Sequence, residues 1–126
     1  MINIPKTIRS FRYAFTGILA LFGFENNARV HLLLATIAVL FGVWLRINAT
    51  EWALVIACIG SVLAAEAFNT AIEKLCDLVS PSFNLQIKAV KDLAAAGVLL
   101  VALAAVGVAA FLFIPKMIAV YQGISG

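Results

Sequence analysis

Glu66, Asn69, Thr70, Glu73 and Asp77 stand within one otherwise apolar stretch. On a helix, at about 100° per residue, Glu66, Glu73 and Asp77 fall within about 20° of one line, with Asn69 and Thr70 on either side. Three carboxylates on one helix face repel one another, and in or near a membrane they are costly without a counter-charge. A bound divalent cation is the economical remedy. Carboxylate and amide oxygens favour Mg²⁺, which usually also takes oxygens from a substrate phosphate. The opposing reading is a purely structural network in which basic residues neutralise this face.

Two further groups share that chemistry. Lys88 and Lys91, beside Asp92, lie one helical turn apart and could hold phosphate oxygens, although lysines flanking a span commonly just mark topology. The run Glu25-Asn26-Asn27-Ala28-Arg29 adds a fourth carboxylate. His31 reads as an interfacial hydrogen-bonding residue rather than a catalytic one. The sequence has no Walker-type phosphate loop, no glycine-rich kinase loop and no H-E-x-x-H helix. No serine or cysteine has an evident base partner, so a covalent nucleophile is not expected.

The elements that carry these groups must be membrane helices. Of 126 residues, 64% are hydrophobic and 12% charged, and the mean hydropathy is +1.09. Soluble domains run at roughly 45–50% apolar and about 25% charged, so this chain reads as an all-α integral membrane protein forming a single membrane domain over 1–126. Net charge is +3, without a basic tract, so nucleic acid is not an expected partner. Ile4, Ile8, Phe11, Phe15, Ile18 and Phe22 recur at helical spacing opposite Lys6, Arg9, Tyr13 and Thr16. This predicts an amphipathic surface helix over about 4–22, lying in the membrane interface. Spans are predicted at about 28–47, 51–79 and 88–115, the last containing the uncharged run Leu93 to Pro115. Thr50 or Asn48 could cap the second span, Ser80-Pro81-Ser82 ends it, residues 82–88 form a loop, and 116–126 is a short tail.

Lys6, Arg9, Arg12, Arg29, Lys74, Lys88 and Lys91 then fall on one side, with Arg46 and Lys116 on the other. Seven basic residues against two place the N-terminus and the 74–91 loop in the cytoplasm. Counting inward from Glu51, Glu66 is about 22 Å deep and Glu73 about 33 Å. With a hydrocarbon core of about 30 Å, Glu73 lies at the cytoplasmic interface, where a charged ligand could meet it. Glu66 lies some way inside, where a lipid head group could.

With these residues in place the chain resembles the prokaryotic diacylglycerol kinase family, which includes the undecaprenol kinases. The resemblance covers roughly residues 9–115. Its core is Glu66-x-x-Asn69-Thr70-Ala71-Ile72-Glu73-x-x-x-Asp77, then Lys88-Ala-x-Lys91-Asp92. Phe11-Arg12-Tyr13-Ala14 with Gly17, and Glu25-x-Asn27-x-Arg29-x-His31, support it.

The resemblance implies a homotrimeric helical bundle in the bacterial cytoplasmic (inner) membrane, with active sites shared between protomers. It implies transfer of the γ-phosphoryl group of ATP, with Mg²⁺, to a lipid hydroxyl at the cytoplasmic interface. By the same resemblance Glu66 would be the general base, Glu25 and Glu73 the Mg²⁺ ligands, and Glu66, Asn69 and Thr70 the lipid contacts. Tyr13, Glu25, Asn69, Glu73, Asp77, Phe83, Lys91 and Asp92 would serve the nucleotide. One departure stands out: Ala94-Ala95 replace a Gly-Ser pair of the best-known diacylglycerol kinase form, which tilts the reading toward the undecaprenol kinase branch. The competing readings are a small ion- or proton-coupled transport subunit with Glu66 as relay, and a structural membrane protein whose charges only join protomers.

Overall fold

The structure, a computed structural model, describes residues 1–125, with side chains described for residues 1–123. Four helices follow one another: α1 (Ile4–Phe24), α2 (Asn26–Trp44), α3 (Ala49–Val79) and α4 (Leu85–Ser125). The last three are long and apolar enough to cross a membrane.

Local chemistry fixes each boundary. Asn3 caps α1 by accepting the Lys6 N–H at 3.0 Å, and Pro5 occupies the first turn, where its missing N–H costs nothing. Glu25 is extended (φ −100°, ψ 115°) and makes the elbow between α1 and α2. Its N–H donates to the Leu21 carbonyl, and its own carbonyl accepts from the Arg29 N–H.

The α2 end is a Schellman turn, because the Ile47 N–H reaches the Gly42 carbonyl and the Arg46 N–H reaches that of Val43. Arg46 holds the left-handed position (φ 51°) that glycine usually fills. Asn48, one of the two caps expected, starts α3 with a full capping box. It accepts from the Glu51 N–H at 2.9 Å, and its own N–H donates to the Glu51 carboxylate at 3.1 Å.

α3 is the central helix. It packs most extensively on α4 and less on α2, and α1 touches both α2 and α3. A small apolar cluster of Ile47, Val55 and Leu112 sits at the α2–α3 turn, backed by Trp52, Ile59 and Phe113. Glu51 pairs with Lys116 at 3.1 Å and so lashes the start of α3 to α4 at the same end. Elsewhere the chain is open. Its accessible surface is 9393 Å², against roughly 6,500 Å² for a compact soluble chain of this mass. The apolar row of α1 (Ile4, Ile8, Phe11, Phe15 and Ile18) is uncovered by the rest of the chain.

α4 differs from expectation at both ends. It begins at Leu85 because the Asn84 side chain caps it, accepting from the N–H groups of Gln86 and Ile87. It also runs on through Pro115 to Ser125, so the short tail expected over 116–126 is part of the helix as far as described; Gly126 lies outside the described residues. Pro115 removes only its own N–H from the ladder, a loss membrane helices tolerate.

Candidate functional site

The site is assembled on the second half of α3. Glu66 is 2% exposed, and Asn69 and Thr70 are also buried. Burial of this kind calls for partners. Glu66 finds one on α2: His31 Nε2 lies 3.2 Å from Oε1. Asn69 Nδ2 donates to Glu73 Oε1 at 3.3 Å.

The other polar atoms of this face are unspent. Asn69 Oδ1 and Thr70 Oγ1 are buried without a hydrogen-bond partner. Thr70 contrasts with Ser10, Thr16, Thr36 and Ser61, whose hydroxyls all donate back to the carbonyl four residues earlier. An acceptor and a hydroxyl held idle beside a buried carboxylate are suited to a polar ligand.

One turn beyond, the face becomes ionic. Asp77 Oδ1 lies 2.6 Å from Lys91 Nζ of α4, and Lys88 Nζ lies 2.6 Å from Asp92 Oδ2. Two lysines and two aspartates thus neutralise each other pairwise where the α3–α4 loop turns. The three α3 carboxylates expected to need a shared cation are therefore relieved separately, Glu66 by His31, Asp77 by Lys91 and Glu73 by the Asn69 amide. Among the described residues no group of three or more His, Cys, Asp and Glu side chains could hold a metal ion.

Two carboxylates nonetheless keep oxygens available. Glu73 receives one long bond from a neutral amide. Glu25, at the α1–α2 elbow, makes no side-chain capping bond. Carboxylate oxygens of this kind suit Mg²⁺, which is commonly bound by one or two carboxylates together with waters and substrate phosphates.

Tyr13 on α1 and Phe83 in the α3–α4 loop are both exposed. Neither makes a ring contact among the described residues.

Two contributions escaped the sequence reading. Arg29, given no contact of its own there, reaches back over the elbow. Its Nε donates to the Phe22 carbonyl at 2.8 Å and its Nη2 to that of Gly23. One guanidinium thereby closes the C-terminal end of α1 and fixes the angle at which Glu25 is presented. His31 was expected at the interface, and the structure places it on Glu66. The available signal was depth. His31 lies two residues inside Arg29, near the level computed for Glu66, and each is an ionisable group in an apolar span that needs a partner.

Beside this pair an apolar groove of about 500 Å³ runs between α2, α3 and α4. Its walls include Ala35, Phe41, Ile59, Val62, Ala105 and Met117. His31 is the only lining residue with a side-chain nitrogen or oxygen.

The family model described as prokaryotic diacylglycerol kinase matches residues 12–113. The chain is similar to a diacylglycerol kinase of Synechocystis, at 34% identity over 115 residues covering 90% of this chain and 66% of that protein. It is also similar to an undecaprenol kinase of Bacillus subtilis, at 30% identity covering 91% of this chain and 94% of that protein.

Proposed function

The chain belongs to the prokaryotic diacylglycerol kinase family, and from that premise we propose that it is an integral-membrane lipid kinase. It moves the γ-phosphoryl group of MgATP onto the hydroxyl of a lipid alcohol at the cytoplasmic face of the bacterial inner membrane. The observation that carries this reading is a buried carboxylate, Glu66, paired with His31 of an apolar groove, on the same helix face that ends about three turns later in a Lys/Asp cluster.

Each part has a role in the transfer. Glu66 takes the proton from the lipid hydroxyl as the hydroxyl oxygen attacks the γ-phosphorus and the bond to the β–γ bridging oxygen breaks, releasing ADP. Asn69 Oδ1 and Thr70 Oγ1, both idle, hold the hydroxyl and head group in line. Glu25 and Glu73 would hold Mg²⁺, which when bound neutralises the phosphate oxygens during transfer. Lys91 turns from Asp77 to a nucleotide phosphate, while Asp77 and Asp92 hold the nucleotide. Tyr13 and Phe83 offer rings to the base. The acceptor's chain lies along the groove, whose apolar walls cannot satisfy a soluble polar substrate.

α1 lies in the cytoplasmic interface with its apolar row in the lipid, and the N-terminus is cytoplasmic. The large open surface of the protomer is covered by lipid and by two further copies in a homotrimer, with residues of neighbouring protomers completing each site. Ala94-Ala95 favour a polyprenol such as undecaprenol over diacylglycerol as acceptor.

The test is acceptor-resolved transfer by purified protein in lipid vesicles, with Mg²⁺ and γ-labelled ATP, undecaprenol and diacylglycerol being supplied in parallel. Label in undecaprenyl phosphate at the higher kcat/KM is expected. Label confined to phosphatidic acid would reverse the acceptor preference, and label in neither lipid would remove the kinase reading.

A further inference from the structure

Glu66 is nearly sealed, its side chain 3% exposed, and His31 is the only group found within ion-pairing distance of its carboxylate among the described residues. Glu73 is engaged by Asn69, Lys91 by Asp77 and Lys88 by Asp92. The contact is specific in atom as well as residue: Nε2 meets Oε1 at 3.2 Å. A carboxylate accepts only from a donor, so next to an ionised Glu66 the ring carries its proton on Nε2. With Oε1 held, Oε2 is the oxygen left for a substrate proton. His31 also lines the apolar groove, so the same ring stands between the base and the place where a hydrocarbon chain fits.

We infer that His31 is a positioning residue for the phosphoryl transfer. Its Nε2–H clamps Glu66 Oε1 and aims Oε2 at the lipid hydroxyl emerging from the groove. The inference rests on Glu66 being the base of the proposed kinase, and it assigns His31 no contact with ATP. A base that loses its only clamp keeps its charge and depth but samples orientations that miss the hydroxyl, and a misplacement of about 1 Å can cost about 10²-fold in rate. The loss falls on kcat, because nucleotide binding uses other residues.

Three variants isolate the donor atom. Gln at 31 can bring an amide N–H to the place of Nε2, Asn carries its amide one methylene short, and Ala has no donor. Full-length variants are reconstituted in vesicles containing the better acceptor, and kcat, KM for MgATP and binding of a fluorescent ATP analogue are measured. His31→Ala and His31→Asn are expected to lower kcat about 10- to 100-fold, with KM for MgATP and analogue binding within about twofold of wild type. His31→Gln is expected to restore most of the rate. If His31→Ala does not fold, the comparison of Gln with Asn carries the test, since a merely space-filling role would not rank them by where the amide sits.

Wild-type kcat in folded His31→Ala would overturn the inference while leaving the kinase reading intact. Equal loss in Gln, Asn and Ala variants that still bind nucleotide would overturn the donor role. A wild-type protein that transfers to no lipid would instead overturn the underlying reading.

Discussion

Asp77 of α3 and Lys91 of α4 meet at 2.6 Å, joining the ends of two adjacent helices across the Ser80–Asn84 turn. Asp77 is largely exposed and Lys91 is 37% exposed, so water screens the pair and its effect on stability is small. Its consequence is positional, since it holds an ammonium near the Glu73 carboxylate and the loop carrying Phe83. Lys91→Met should therefore lower kcat/KM for MgATP by about tenfold or more, the size of one charge-assisted phosphate contact. The thermal unfolding midpoint should barely move. A lower midpoint with unchanged kcat/KM would make the pair a structural tie.

Glu73 has one neutral partner and an oxygen to spare. Glu73→Gln keeps the shape and can still bond to Asn69, but it removes the charge a hard cation requires. Half-saturation for Mg²⁺ should rise about tenfold or more in nucleotide-binding titrations. An unchanged Mg²⁺ titration would remove Glu73 from the ligand set.

Gly42 of α2 lies under the side chains of Ile47 in the α2–α3 turn and Trp52 of α3. A Cβ there would lie 2.8 Å from Trp52 Cη2 and 3.1 Å from Ile47 Cδ1. Gly42→Ala should cost about 1–3 kcal/mol by overpacking, read by denaturant or thermal unfolding, while kcat of the folded fraction is kept because the site lies at the other end of α3. Gly42→Ala with Trp52→Phe should recover part of the loss.

Ala95, one of the two alanines on which the proposed acceptor preference rests, is exposed. Ala95→Ser should change stability by no more than about 0.5 kcal/mol. Its informative readout is the undecaprenol-to-diacylglycerol ratio of kcat/KM. A shift toward diacylglycerol is expected if this position reads the acceptor.

The parts of this architecture that depend on one segment alone were legible in the sequence. The uncharged run Leu93–Pro115, the stop at Ser80-Pro81-Ser82 and the Asn48 cap each follow from neighbouring residues. The common face of Glu66, Asn69, Thr70 and Glu73 follows from helical period. Relationships between segments were not legible. Periodicity within α2 cannot show that His31 meets Glu66, and nothing in the run around Arg29 shows its guanidinium closing α1. The helix beyond Pro115 was not legible because the uncharged run ends there, before Lys116, and a membrane helix continues past a proline.

Single-turnover transfer by Glu66→Gln decides whether Glu66 is the base of a lipid phosphoryl transfer. Glutamine keeps the size of the side chain and its reach toward His31 but cannot take the proton. The variant should bind MgATP with an affinity close to wild type and form labelled lipid at least about 10²-fold more slowly. Wild-type transfer rates in Glu66→Gln would contradict that role and move the base to another residue.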